Sequence, residues 1–283
     1  MKVDFCTDTV KKYNEDTYGL TRLGAFVIDG ASALTEKSYL PSGNDVAWLV
    51  QWWKGYLEEH LDDTSHSIQE ILKEGIALLN KEVATFVDLS SLQPHEKLSA
   101  GIAVVRKNGQ VLETFILGDV KIFIEQSNGQ MAVLTDESIN RLDEQVIQLM
   151  ARDENREDRI VFKGFTQEEL DLLNKNRSKM NQPDGYYILS HCEEAVDQGI
   201  YKTFPVECVE RVLFATDGLN PLQAKYTKKD LLETIWEKGA SALIQELRKL
   251  EKADKDKTRI GRLKTHDDAT LIYLDFRGMT KDR

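Results

Sequence analysis

Apolar positions recur along this chain with two different periods. The clearest strand signal lies in Ser99–Thr135, where two Asn-Gly pairs, Asn108-Gly109 and Asn128-Gly129, separate runs rich in Val, Ile and Phe: "GIAVVRK", "QVLETFILGD", "VKIFIEQS" and "QMAVLTD". Asn-Gly supplies the positive φ angles of a tight hairpin, so the region is predicted as an antiparallel meander. Upstream the period changes. "NDVAWLVQWWKGYLEEHL" carries Leu49, Trp53, Tyr56, Leu57 and Leu61 at helical spacing, and "SHSIQEILKEGIALLNKEVATFV" carries Ile68, Leu72, Ile76, Leu79 and Val83. Two amphipathic helices are predicted, each with one apolar stripe. Trp48, Trp52 and Trp53 are assigned to that buried stripe rather than to a partner groove.

Beyond the meander, Ser138–Asp153 reads as a polar helix, and "FTQEELDLLNKNRSKM" as another, with Thr166 and Glu169 at capping-box spacing. "GYYILS", "RVLFAT" and the final "ATLIYLDF" read as strands. Between the last two, "TKKDLLETIWEKGASALIQELRKL" reads as helix with an interruption at Gly239. The charge-dense Glu251–Lys264 stretch is expected to be a solvated connection. Without a repeat or a Pro/Gly linker, the pattern predicts one domain of the α+β class, helices grouped between groups of antiparallel strands.

Composition narrows the partners. The 283 residues are 41% apolar, enough for a sizeable core. A formal charge of -11, from 48 acidic against 37 basic residues, repels phosphate backbones and anionic lipid, so neither nucleic acid nor a membrane is expected as a partner. The three cysteines, Cys6, Cys192 and Cys208, show no CxxC spacing and suggest reduced buried thiols. No apolar signal core or membrane-length run is visible, which points to a cytoplasmic protein. GxSxG, GxxxxGK[ST] and GxGxxG motifs are also missing, and His191 and His266 lack the spacing of a metalloprotease or Cys/His pair.

What remains is a recurrent oddity: apolar strands that stop at acids. "VIDG" ends at Asp29-Gly30, "ETFILGD" at Gly118-Asp119 and "LFATDG" at Asp217-Gly218, while Glu15-Asp16 and Asp267-Asp268 stand just ahead of strands. Each alone is explained as a turn. If the strand ends converge, two carboxylates about 4 Å apart repel by about 4 kcal/mol at an effective dielectric of about 20, so cations are required. No basic residue follows Asp29 within three positions, and none follows Asp217 until Lys225. Hard divalent ions with oxygen ligands suit such a cluster, and Gly30 would leave its carbonyl free to approach one.

In this order, Asn14-Glu15-Asp16, Asp29-Gly30, Gly118-Asp119, Thr216-Asp217-Gly218 and Asp267-Asp268-Ala269-Thr270, the motifs resemble those of the metal-dependent serine/threonine protein phosphatases, the protein phosphatase 2C (PPM) family. "PDGYYILS" is similar to bacterial members. The resemblance spans nearly the whole chain and implies a four-layer α-β-β-α sandwich, two central antiparallel sheets flanked by helix pairs, with two Mn²⁺ or Mg²⁺ ions at one end. It implies that Asp29 bridges the ions, that Glu15 and the Gly30 carbonyl bind one, and that Asp217 and Asp267 bind the other. Asp119 would help Asp217 hold a looser third ion, and Asp16 would orient metal-bound water. Water between the ions would attack phosphorus directly, releasing phosphate from a phosphoserine or phosphothreonine protein. A variable flap beside the site would span about Ile139 to Val212, and the chain is expected to act as a monomer.

Three positions depart from the family pattern. Lys11 stands where many members have a phosphate-clamping arginine, and a lysine offers a point charge rather than a bidentate fork. Ala31-Ser32-Ala33 replaces the His-Gly-Gly of eukaryotic members, leaving no histidine acid there. Asp268 replaces an asparagine. These departures keep two alternatives open: a catalytically weak regulatory or binding module, and a two-metal hydrolase of small phosphoesters.

Overall fold

The computed structural model describes residues 2–152 and 155–277. Two five-stranded antiparallel sheets lie face to face. One has the order β10-β5-β4-β3-β2, built from β2 (Asp16–Leu20), β3 (Gly24–Gly30), β4 (Ala100–Asn108), β5 (Val111–Leu117) and β10 (Ile200–Pro205). The other has the order β1-β12-β11-β6-β7, from β1 (Lys2–Asp8), β6 (Lys121–Gln126), β7 (Met131–Leu134), β11 (Val209–Ala215) and β12 (Ala269–Asp275). Alternation along the strands gives each sheet two apolar faces. Val27, Ala103 and Ile116 meet Ile124, Phe214 and Ile272 between the sheets.

The outer faces are covered by helices. On the first sheet, Phe26, Ile28 and Val104 pack under α1 (Asp45–His60) and α2 (Ile68–Val83). Trp53 is fully buried there, and Trp48 and Trp52 pack half-buried against the same core. On the second sheet, Leu213, Leu271 and Tyr273 pack under α5 (Lys228–Lys238) and α6 (Ala240–Ala253). This is the expected four-layer α-β-β-α sandwich. The break between α5 and α6 falls at Gly239, whose φ of +86° suits glycine. Between the helix pairs and to one side lie α3 (Ser138–Arg152), the short hairpin β8 (Ile160–Phe162) and β9 (Phe165–Thr166), and α4 (Gln167–Arg177), capped by the expected Thr166–Glu169 box. Their own apolar cluster, centred on Val146, Phe165 and Leu170, also receives Leu34 and Leu263.

Four expectations need correction. The Ser99–Thr135 region is two hairpins in different sheets, because Gly118, at φ +96°, carries the chain from β5 across to β6. "GYYILS" makes only isolated bridges, Met180 with Tyr186 and Ala100 with Leu189. Asp16 opens the second strand of the chain, since the largely exposed Lys2–Asp8 forms an edge strand on β12. The Glu251–Lys264 stretch is not simply solvated: α6 runs on to Ala253, and Glu251 and Asp254 are buried. Asp254 accepts from the backbone N–H groups of Arg259 and Ile260 and from Arg262 Nη1, which ties the loop into a fixed shape. The helix over Ser138–Asp153 is present, although Asp153 itself lies outside the described residues. No helix among the described residues is long and apolar enough to cross a membrane.

Candidate metal centre

Antiparallel pairing decides where the acids go. Asp16 opens β2 and is paired with Asp29 near the end of β3, while Asp29 is paired with Gly101 at the start of β4. In the second sheet Ala215, the last residue of β11, is paired with both Leu271 near the start of β12 and Lys121 at the start of β6. Asp119, Asp217 and Asp267 therefore flank strands at one end of that sheet. The two ends meet: Asp217 N–H donates to Asp29 Oδ2 at 3.1 Å, and Thr216 Oγ1 donates to Asp16 Oδ2 at 2.9 Å.

Close backbone approach explains two of the glycines. A Cβ on Gly30 would stand 2.4 Å from the Glu15 carbonyl oxygen, and one on Gly218 would stand 1.9 Å from the Asp268 carbonyl oxygen. Either would push apart the segments that carry the acids. Gly30 N–H also donates to the Glu15 carbonyl, at 2.9 Å. Packing therefore gives Gly30 a reason of its own, separate from any role for its carbonyl.

Glu15, Asp29, Gly30, Asp119, Asp217 and Asp267 all line one cavity of about 950 Å³, and Lys11 lines it too. Asp16 sits behind its wall, held by Thr216. Beyond the sequence-derived set, the cavity gains Asp143 from α3, Arg177 from α4, Asn44, Ser32 and Lys264. Asn44 caps α1 by accepting from Ala47 N–H at 2.8 Å and turns its amide to Glu15 Oε1 at 3.1 Å.

The charges divide into two groups. At one end, Asp29, Asp119 and Asp217 are pushed above the usual carboxylate range, first by burial and then by neighbouring carboxylates: Asp217 acts on Asp29 and Asp119, and Asp267 acts on Asp217. Burial and the Asp268 charge push Asp16 up to about 8, against the Thr216 hydrogen bond. Burial, then the Asp217 charge, raises Asp143 to about 7.

At the other end, lysines neutralise the acids. Lys11 Nζ lies 2.9 Å from Glu15 Oε2, 2.9 Å from Asp268 Oδ2 and 3.2 Å from Asp267 Oδ1. Lys264 Nζ lies 2.9 and 2.7 Å from the two oxygens of Asp267. Burial alone would raise Glu15 and Asp267, but Lys11 holds Glu15 below its usual range, and Lys264 with Lys11 does the same for Asp267. Asp268 also accepts from Glu15 N–H at 3.0 Å, so its carboxylate organises the Glu15 segment as well as adding charge. The expectation that no basic residue serves the acids is thus corrected: Lys11 and Lys264 neutralise the acids four and three residues along from them, and the fold brings Lys11 to Asp267 and Asp268 as well.

The donor set is chemically suited to hard divalent cations. Asp29, Asp119 and Asp217 offer oxygen ligands whose ionised forms are disfavoured only by burial and mutual repulsion, which a cation would reverse. Among the described residues, however, no three acidic, histidine or cysteine side chains stand close enough to hold a metal ion as placed. His266 also lines the cavity, but its Nδ1 is 2.8 Å from Glu251 Oε2, and His191 Nδ1 lies 2.7 Å from Asn80 Oδ1.

Comparison with known proteins identifies the family. The sequence profile described as protein phosphatase 2C matches residues 4–251. The chain belongs to that family. Its fold is similar to the Mycobacterium tuberculosis serine/threonine phosphatase PstP/Ppp (14% identity, 97% of each chain, TM-score 0.56). It is likewise similar to the Staphylococcus aureus serine/threonine phosphatase Stp1 (13% identity, 97% of this chain and 94% of that one, TM-score 0.55). A third similar structure is the catalytic domain of PstP in complex with two manganese ions (14% identity, 97% of each chain, TM-score 0.53). No curated protein sequence matches the chain.

Proposed function

We propose that the chain is a Mn²⁺- or Mg²⁺-dependent phosphatase domain that removes phosphate from phosphoserine or phosphothreonine in proteins by direct attack of water. The observation that carries this reading is the convergence of Asp29, Asp119 and Asp217 in one cavity, each raised above the usual carboxylate range by burial and by the charge of neighbouring carboxylates. Family membership and the manganese found in a PstP structure support it.

Asp29, Glu15 and the Gly30 carbonyl would hold one ion, and Asp29, Asp217 and Asp267 the other, with Asp119 and Asp217 able to take a third. Bound there, the ions would supply Lewis-acid activation of water and neutralise charge on an approaching phosphoester. The remaining roles fall to the chain itself. Asp16, fixed by the Thr216 hydroxyl behind the cavity wall, would orient metal-bound water beside the cluster. Lys11 Nζ, once freed from its carboxylate partners, would orient a substrate phosphate as a point charge. The helices α3 and α4 line the cavity with Asp143 and Arg177 and would limit water and select the docking segment.

One observation favours a second reading: Lys11 is committed to three carboxylates, as expected of a catalytically weak module whose site is neutralised from within. Hydrolysis of p-nitrophenyl phosphate and of a phosphothreonine peptide, in Mn²⁺ and in EDTA, separates the readings. Metal-dependent release from both substrates, lost in Asp29→Asn, supports the phosphatase. Equal, negligible rates in wild type and variant support the module, and turnover of the aryl ester alone supports a small-phosphoester hydrolase.

A further inference from the structure

Lys264 is the least expected occupant of the site. It lies in the Glu251–Lys264 stretch, and it is not a wandering surface lysine. Arg262, two residues earlier, is locked to the buried Asp254 at 2.6 Å, and Leu263 packs into the apolar cluster beneath α3 and α4. The backbone is thereby anchored immediately before Lys264.

Its ammonium group contacts both oxygens of Asp267 and also donates to Ser32 Oγ at 3.1 Å. Ser32 Oγ in turn donates to Glu15 Oε2. A single cation thus straps together Asp267 and Glu15, the acids expected to serve two different ions. Lys11 adds a second ammonium contact to both of them. Asp29 instead accepts from the Asp217 backbone N–H, and the ammonium group of Lys121 is turned to Asn220 Oδ1 at 2.6 Å. The lysine contacts are therefore concentrated on the Glu15–Asp267 side of the cluster.

We propose that Lys264 is a built-in competitor for the divalent cation, holding the Glu15–Asp267 side of the site closed in the metal-free protein and setting how tightly metal binds. This rests on the phosphatase reading of the same site. A metal ion bound at Asp267 must compete with the ammonium group for the same carboxylate, because both oxygens already face Lys264 Nζ and two cations drawn to one carboxylate repel each other. Lys264 acts through Asp267 and is a positioning residue rather than a catalytic one. Two consequences follow from charge alone. Removing the ammonium group leaves the largely buried Asp267 with only Lys11, which weakens the metal-free fold, and it leaves a more negative site, which strengthens cation binding.

The test is calorimetric titration of Mn²⁺ into wild type, Lys264→Met and Lys264→Arg, with melting temperatures in EDTA and in excess Mn²⁺. Lys264→Met is expected to bind at least about tenfold more tightly, melt lower in EDTA and recover in Mn²⁺, while Lys264→Arg stays close to wild type. Wild type that takes up Mn²⁺ with an affinity equal to or above that of Lys264→Met would overturn the competitor role and leave the metal centre standing. Absence of uptake by all three proteins, with melting unmoved by Mn²⁺, would overturn both.

Discussion

The backbone N–H of Asp217 donates to Oδ2 of Asp29 at 3.1 Å, joining the end of a strand in one sheet to the end of a strand in the other. The bond closes the sandwich at the place where its acids gather. Asp29 is therefore both a structural acceptor and a crowded carboxylate, disfavoured as an anion by burial and then by Asp217, Asp16, Asp119 and Asp267.

That double role predicts opposite effects of Asp29→Asn. The amide oxygen keeps the bond to Asp217 while the repulsion disappears, so the metal-free variant is expected to melt no lower, and at alkaline pH higher, than wild type. Its Mn²⁺-dependent phosphatase rate is expected to fall at least about 10²-fold. Melting in EDTA and peptide dephosphorylation in Mn²⁺ check both halves.

Stability of the metal-free protein should depend on pH in a defined direction. Asp16, raised from its ordinary 3.8 to about 8, and Asp143, raised to about 7, hold protons in the folded state that the unfolded chain has already lost. Their contribution is present below about pH 4 and is lost as pH rises through 7 to 8. Glu15 and Asp267, held down by lysines, act oppositely: their contribution is present above the ordinary carboxylate pKa and is lost as pH falls below it. Melting temperatures in EDTA should therefore decline from about pH 5 to 9, and saturating Mn²⁺ should flatten the decline.

Gly30→Ala places a methyl group 2.4 Å from the Glu15 carbonyl oxygen and 2.5 Å from Val46 Cγ1. A loss of about 1–3 kcal/mol in urea unfolding is expected. Because Glu15 is the segment displaced, Mn²⁺ affinity should fall as well, measurable by titration below the unfolding transition.

Away from the site, Arg106 is fully buried with Glu113, 2.8 Å away, and its guanidinium also donates to the carbonyls of Leu61, Asp63 and His66. It pins the α1–α2 connection to β4. Arg106→Ala is expected to cost about 3–5 kcal/mol by leaving Glu113 and three carbonyls short of donors, read from the urea midpoint.

Much of this arrangement was legible in the sequence because it is local. Asp29-Gly30 and Asp217-Gly218 each close a short apolar run, and the two Asn-Gly turns take the positive φ they require, +59° at Gly109 and +79° at Gly129. The split of Ser99–Thr135 between sheets was not legible, because the apolar pattern of β6 is the same whether it pairs with β5 or crosses to the other sheet. β10 was missed for a related reason: an exposed edge strand ending at Pro205 shows no buried face to read. Lys264 and Asp143 escaped notice because charges in polar stretches carry no sign of their destination. Only the fixed turn around Asp254 and the packing of α3 reveal that both face the acids.

Anomalous diffraction at the manganese edge, from crystals grown with Mn²⁺, tests the metal centre most directly. Peaks within bonding distance of the Asp29 carboxylate, with Asp217 and Asp267 turned toward them and Lys264 withdrawn, are the expected result. A fully occupied crystal that shows no peak at Asp29, or manganese only at surface acids, would contradict a divalent-cation centre at the strand ends.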